Sequence, residues 1–301
     1  MSTPNIHKLG ILGAGQMGLG IAQVAARAGL ATTLVKMTPG SVDGVRKKID
    51  ASFAKEAEKG RMTPDAHRGA MEKLATSSDM TDLAGCDLVV ESIVEDLPTK
   101  IEAFRRLDEL CGPSTIFATN TSTLGVTAMA IATKRPGRFI GLHFFNPATA
   151  MKLVEVASTL ATEPGVVDAA KELCVALGKT PVVVPDTTGF VVNRLLVPYL
   201  LDAMRVWQEG TASIADVETA MMNGAGHPMG PFALADFIGL DVVFHMASNL
   251  YDEYREPRFT PPPVLRRLVL AGQLGRKSGL GFLDYSQRPA QPNSALSRRP
   301  A

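Results

Sequence analysis

Three glycines in the spacing Gly13-x-Gly15-x-x-Gly18 constrain this chain more than any other feature, because of what flanks them. Residues 8–12 form a short apolar run that reads as a buried strand. Residues 19–28 are alanine-rich and helical in pattern, with Gly29 where a C-terminal cap belongs. Residues 32–35 read as a second strand. Strand, glycine turn, helix and strand make a βαβ unit, which implies a parallel sheet. In such a turn Gly13 permits the tight reversal, Gly15 lets backbone approach a pyrophosphate, and Gly18 lets helix and strand pack closely. Gln16 and Met17 open a helix whose free N–H groups and positive dipole end face the phosphates. These five residues are the predicted cradle of a dinucleotide cofactor.

One member of the pattern is replaced. An acidic residue normally ends the second strand and accepts hydrogen bonds from the adenosine ribose hydroxyls. Lys36 stands there, after Thr33-Leu34-Val35. A lysine cannot accept from a diol, but its charge can neutralise a 2′-phosphate. Two readings stay open. Either Lys36 meets a 2′-phosphate and admits NADP(H) beside NAD(H), or it points into solvent and the ribose is held otherwise.

With 46% hydrophobic and 20% charged residues over 301 positions, the chain can bury sizeable cores, and its length favours two domains. Residues 41–74 are charged and helical in pattern, with a break at 60–64. They read as a helical hairpin inserted after the second strand, polar enough to project from the body. Strands at 87–90, 115–118, 139–142, 153–156 and 182–184 then alternate with helices at 99–110 and 166–177. Beyond Pro185 no strand pattern remains. Helices fit 191–209, 214–222, 231–254 and 264–270, punctuated by Gly210, Gly224, Gly226 and Pro228. The predicted architecture is a Rossmann-type, doubly wound α/β domain with an inserted helical hairpin, followed by an all-helical C-terminal domain. The predicted limits are 1–185 and 186–285, with a Pro-, Ser- and Arg-rich tail at 286–301 expected to be disordered.

The formal net charge of +1 offers no surface for nucleic acid or an anionic membrane. No apolar run reaches the roughly 18 residues of a membrane span. Residues 1–8 lack the apolar segment of a secretory leader. Cys86, Cys111 and Cys174 have no metal-ligand spacing and read as small apolar residues in a reducing compartment, so no metal is expected and the cytoplasm is the expected location.

Residues His143-Phe144-Phe145-Asn146-Pro147 follow a strand. Asn-Pro signals a turn, so His143 stands at a strand end, where sites gather in α/β sheets. Glu155 lies in the next apolar strand, where an unpaired carboxylate is costly. A His143–Glu155 pair satisfies both residues. It also gives the imidazole a fixed tautomer and stabilises its protonated form. Removing hydride from a secondary alcohol needs a base for the hydroxyl proton, so the pair suits the cofactor. A purely structural pair is the other reading. Asn120-Thr121-Ser122, directly after a strand, reads as a second site element or as a simple turn. Asn193 reads as an oxyanion donor or as a helix cap.

Taken together, these motifs resemble the L-3-hydroxyacyl-CoA dehydrogenase family, the 3-hydroxybutyryl-CoA dehydrogenases in particular, over about residues 8–285. The resemblance also rests on Met151-Lys152-Leu153-Val154-Glu155-Val156, Asp186-Thr187-Thr188-Gly189-Phe190-Val191-Val192-Asn193-Arg194, Gly230-Pro231 and the closing Gly275-Arg276-Lys277-Ser278-Gly279-Leu280-Gly281-Phe282. It implies reversible oxidation of (S)-3-hydroxyacyl-CoA to 3-oxoacyl-CoA with NAD(P). His143 matches the catalytic base and Glu155 its carboxylate partner. Ser122 and Asn193 match contacts to the reacting part of the substrate. Glu95, Lys100 and Asn120 match the cofactor side. Ser52 and Lys59, on the hairpin, match contacts to the CoA phosphates, although a solvated helix face explains them nearly as well. The helical domain is expected to carry substrate contacts and a homodimer interface. Two alternatives remain: a dehydrogenase of the same fold acting on a free hydroxy acid such as gulonate or carnitine, and a non-catalytic dinucleotide-binding protein.

Overall fold

The computed structural model describes residues 5–296. The chain divides into two compact units between Phe190 and Val191.

The first unit is built on one eight-stranded sheet in the order β3-β2-β1-β4-β5-β6-β7-β8. Its elements run β1 (Lys8–Leu12), α1 (Gln16–Arg27), β2 (Ala31–Val35), α2 (Val42–Glu58), α3 (Pro64–Glu72), β3 (Leu74–Ser77) and β4 (Leu88–Glu91). There follow α4 (Leu97–Leu110), β5 (Ile116–Thr119), α5 (Val126–Ala130), β6 (Phe139–Phe144), β7 (Leu153–Ser158), α6 (Pro164–Ala176) and β8 (Thr180–Pro185). Both faces of the sheet are apolar. Leu9, Ile11, Leu88, Val90, Leu142 and Val156 pack into one core, whereas Leu12, Val89, Phe117, Phe139 and Ala157 pack into another. A sheet covered on both sides needs near-continuous apolar strands, which is why they read as runs rather than alternations.

Within this sheet every strand pair is parallel except β6 with β7. Only residues 145–152 separate those two strands. A parallel crossover needs a dozen or more residues, so this connection has to fold back antiparallel. The order reverses between β1 and β4, which makes their carboxyl ends the switch point of the sheet.

In this unit three expectations change. The hairpin of α2 and α3 does not project: Val45, Ile49, Phe53 and Ala70 are buried in the core shared with α1. Its apolar positions are few but fall on one face, and the surrounding charge obscures that face in the sequence. The Arg46 guanidinium ties the two helices to the sheet through the carbonyls of Leu74 and Met71. Leu74, read as the end of the hairpin, opens the edge strand β3 (residues 74–77), which is too short to show a period of its own. The small helix α5 was not expected either.

The second unit contains α7 (Val192–Gln208), α8 (Ile214–Gly224), α9 (Pro231–Ile238), α10 (Leu240–Tyr254) and α11 (Pro263–Leu270) around one apolar core. The single helix expected at 231–254 is two helices bent by 94°. Gly239 stands between them with φ at +104°, a conformation that favours glycine. Residues 286–296 are not disordered. Gln291–Pro292 (β10) pairs with Leu283–Asp284 (β9), and Asn293 is buried, donating to the Gly281 carbonyl at 2.7 Å. A few backbone bonds and one buried amide order a segment that has no apolar pattern. The rest of the predicted tail, 297–301, lies outside the described residues. No single helix among the described residues is long and apolar enough to cross a membrane.

Candidate active site

The glycine turn has the geometry its spacing predicts. Gly13 has φ at +114°, and a Cβ there would lie 2.4 Å from the Ser92 carbonyl oxygen. A Cβ on Gly18 would lie 1.9 Å from the Gly13 carbonyl oxygen, so any side chain there would force β1 and α1 apart. At Gly15 the opposite holds: nothing lies within 4 Å of the Cβ position. Two glycines are needed for packing inside the turn, and the third leaves its outer side open to a ligand. Gly15 also caps α1 without a side chain, and the first turn of α1 carries no acidic residue, so its N–H groups keep their positive character. Main-chain donors beside open space fit a pyrophosphate.

Lys36 follows β2 and turns back on its own loop. Its ammonium donates to the carbonyls of Thr38 and Pro39. The side chain neither accepts from a ribose nor extends straight into solvent.

Along the same carboxyl edge of the sheet the short β6–β7 connection sets His143 directly opposite Glu155 in antiparallel register. His143 Nδ1–H donates to Glu155 Oε2 at 2.8 Å. Glu155 is fully buried and His143 is 6% exposed. A carboxylate can only accept, so the bond places a proton on Nδ1 and the imidazole lone pair on Nε2. The rings of Phe145 and Phe190 flank the imidazole, with centroids 4.5 and 5.7 Å away. A base whose ring plane, tautomer and counter-charge are all set is suited to taking a proton from a hydroxyl.

The third component is a buried polar network at the ends of β4 and β5. Lys100 is 1% exposed, and its ammonium lies 2.6 Å from Glu91 Oε1 and 3.2 Å from Glu95 Oε2. Glu91 also accepts from Ile93 N–H and the Thr119 hydroxyl, both at 2.7 Å. Glu95 Oε1 accepts from the Thr121 hydroxyl at 2.5 Å and from Ser122 N–H at 2.9 Å, and the Ser122 hydroxyl lies 3.4 Å away. Burial pushes the Glu95 carboxyl up, but Lys100 and the donors of Thr121 and Ser122 outweigh it and hold the group below the usual range. Glu91 was missed in the sequence. The available signal was a carboxylate in an otherwise apolar strand, ending β4 as Glu155 interrupts β7.

Polar side chains also cross-link the loops. Asn120 Oδ1 accepts from Phe144 N–H at 2.9 Å, which joins the end of β5 to the strand that carries His143. Gln16 donates to Asn146 Oδ1 at 3.0 Å, which joins the glycine turn to the loop after His143. Met17 packs partly buried against the core behind the turn.

A cavity of about 270 Å³ opens between α1, the α2 hairpin and that loop, lined by Gln16, Leu19, Gly20, Ser52, Asn146 and Ala148. Ser52 donates to Gln23 Oε1 at 3.1 Å. Lys59 stands exposed at the C-terminal end of α2, outside that lining. Asn193 belongs to the second unit, 7% exposed in the first turn of α7. Within the first unit these contacts join the glycine turn and Asn120 to the strand and loop of His143, while Lys59 stands at the hairpin edge.

Residues 8–187 match the family description "3-hydroxyacyl-CoA dehydrogenase, NAD binding domain", and residues 189–285 match its C-terminal domain. The chain is 42% identical to the 3-hydroxybutyryl-CoA dehydrogenase of Mycobacterium tuberculosis, over 93% of this chain and 99% of that one. It is 45% identical to the mitochondrial hydroxyacyl-coenzyme A dehydrogenase of Sus scrofa, over 91% and 90% of the two chains. The crystal structure of (S)-3-hydroxybutyryl-CoA dehydrogenase PaaH1 from Ralstonia eutropha superposes with a TM-score of 0.91 at 38% identity, covering 94% of this chain and 100% of that one. With its glycine cradle, its His143–Glu155 pair and family matches spanning both units, the chain belongs to the 3-hydroxyacyl-CoA dehydrogenase family.

Proposed function

We propose that the protein interconverts (S)-3-hydroxyacyl-CoA and 3-oxoacyl-CoA with NAD(H), with 3-hydroxybutyryl-CoA as a substrate and His143 as the general base. The observation that carries this reading is the buried His143–Glu155 pair, which leaves Nε2 as the proton acceptor. The bound nicotinamide supplies the hydride acceptor. Nε2 takes the proton of the substrate C3 hydroxyl, and Glu155 balances the imidazolium that results. Ser122 and Asn193 contact the C3 oxygen or the thioester carbonyl, and a donor aimed at developing negative charge there lowers the barrier. In the reverse direction the imidazolium returns the proton.

The glycine turn binds the pyrophosphate, with Glu95 and Asn120 on the cofactor side. Lys100 serves that side through Glu95, because its ammonium is buried between two carboxylates. NADP(H) is tolerated beside NAD(H), since position 36 offers a cation and no acceptor. Ser52 and Lys59 contact the CoA moiety; Ser52 lining the cavity beside α1 supports this. The first unit is the dinucleotide-binding domain, and the second supplies substrate contacts and a homodimer interface. The cytoplasm is the site of action.

The test is His143→Ala, assayed with acetoacetyl-CoA and NADH. The expected result is a kcat lowered by about 10²- to 10⁴-fold with NADH binding intact. An unchanged kcat rejects His143 as the base. Absence of wild-type turnover with any acyl-CoA, but turnover with a free hydroxy acid, rejects the substrate class.

A further inference from the structure

Two charges, Glu91 and Lys100, are withdrawn from water beneath the Ser122 loop, and the reaction as proposed uses neither directly. Lys100 and Glu91 are 1% and 0% exposed, and Glu95 forms the open end of the chain, with its side chain 38% exposed. Burying a carboxylate with an ammonium is expensive, and well-packed apolar side chains in place of a buried ion pair are often no less stable. Stability is therefore a poor explanation for Glu91 and Lys100. Their geometry supplies a better one.

Each atom of the network has a distinct partner. Glu91 is pinned at both oxygens: Oε1 accepts from Ile93 N–H and Lys100, and Oε2 from the Thr119 hydroxyl. The Lys100 ammonium, held by that fixed carboxylate, meets one oxygen of Glu95. The other Glu95 oxygen holds the Ser122 N–H and hydroxyl and the Thr121 hydroxyl. Glu95 is thus oriented from behind by a cation and presents its remaining oxygen to Ser122. Without Glu91, the flexible lysine stem has one carboxylate to follow and no anchor of its own.

We infer that Glu91 is a positioning residue: through Lys100 it fixes the Glu95 carboxylate, and Glu95 in turn sets the Ser122 hydroxyl for the reaction. This rests on the reading of Ser122 as a substrate contact. The single proton of the C3 hydroxyl goes to His143 Nε2, so Ser122 meets the reacting oxygen as a donor: its N–H, held by Glu95 at 2.9 Å, places the residue, and its hydroxyl, 3.4 Å from the same carboxylate oxygen, can turn its proton to the substrate. Through Glu95 the network therefore reaches Ser122 as well as the cofactor side, and its hold on Ser122 governs how the reacting oxygen is met.

A double-mutant cycle tests this, with kcat and KM for acetoacetyl-CoA reduction measured beside the NADH dissociation constant. Glu91→Gln is expected to lower kcat about tenfold, a coupling of ordinary size for residues in one network, with NADH affinity within about twofold of wild type. Ser122→Ala is expected to lower kcat at least as much. In the Ser122→Ala background Glu91→Gln should have no further effect, because the group it positions is gone. If Glu91→Gln lowers kcat by the same factor in both backgrounds, the residue acts on general integrity and the inference is overturned. A folded Glu91→Gln enzyme with wild-type kcat overturns it as well. Wild-type kcat in Ser122→Ala removes the reading of Ser122 itself, and this inference with it. Should Glu91→Gln not fold, Thr119→Val removes one support of the same carboxylate. It should lower kcat about threefold in the wild-type background and not at all beside Ser122→Ala, and equal losses in both would again overturn the inference.

Discussion

Glu155→Gln separates the chemistry of the site from its stability. The carboxylate is fully buried and lies 2.8 Å from His143 Nδ1. When His143 gains the substrate proton, its charge centre stands about 4 Å from that of Glu155, and at an effective dielectric near 20 the attraction is about 4 kcal/mol. Glutamine is isosteric, and its carbonyl can still accept from Nδ1–H, so orientation and tautomer are largely kept while the counter-charge is lost. We expect kcat to fall by about 10²- to 10³-fold, corresponding to roughly 3–4 kcal/mol on the barrier. Folding stability should move the other way or hardly at all, because a buried charge beside a neutral imidazole is relieved of its desolvation cost. The assay is kcat for 3-hydroxybutyryl-CoA oxidation at saturating NAD, with NADH binding by fluorescence and thermal unfolding in parallel. A variant that melts like wild type yet keeps kcat within about fivefold would refute the argument, since a counter-charge at 2.8 Å in a buried site cannot be that unimportant. Parallel losses of kcat, NADH affinity and melting temperature would show instead that the pair is structural.

Lys59→Ala should raise KM for acyl-CoA about three- to tenfold and leave kcat nearly unchanged, because an exposed cation far from the reacting atoms contributes uniform binding. The effect should fade at high salt, and an unaltered KM at low salt would show a merely solvated side chain. Lys36→Asp should shift preference from NADPH towards NADH in dissociation constants; a wild-type preference for NADH above about a hundredfold, roughly 2.7 kcal/mol, would show that Lys36 stays on the Thr38 and Pro39 carbonyls. In the second unit, burial pushes the Asp236 carboxyl up from 3.8 to about 6 against the N–H groups of Phe282 and Leu283 and the Tyr285 hydroxyl. The folded state favours the protonated form, so this group's contribution to stability is fully present below pH 4 and is lost as pH rises through 6; the loss is about 3 kcal/mol at 1.4 kcal/mol per unit. Asp236→Asn should remove that dependence, and a wild-type-minus-variant stability difference that stays flat from pH 4 to 7 would contradict it.

Relations between residues close in sequence were legible without a structure. The glycine turn needs only its own spacing and the elements on either side, so Gly13, Gly15 and Gly18 could be assigned individually. The strand-end histidine and the carboxylate in the next apolar strand were legible for the same reason. With residues 145–152 between them, the two strands can only be neighbours, and the cost of a buried charge supplies the pairing. The tertiary structure decided what depends on distant segments or on very few residues. The four-residue β3 exists because the edge of β2 offers it a ladder, and residues 291–292 are ordered by β9. The hairpin lies against α1 because a sparse apolar face finds a core to join. Glu91 shows the limit most clearly. The sequence displays an acidic residue at the end of one apolar strand and Glu155 within another, but the neighbour of Glu155 lies on the adjoining strand of a short turn. The partners of Glu91 come from α4, β5 and the loop after β4. No periodicity links those segments, and only the stacking of helix and strands at the switch point brings their charges together.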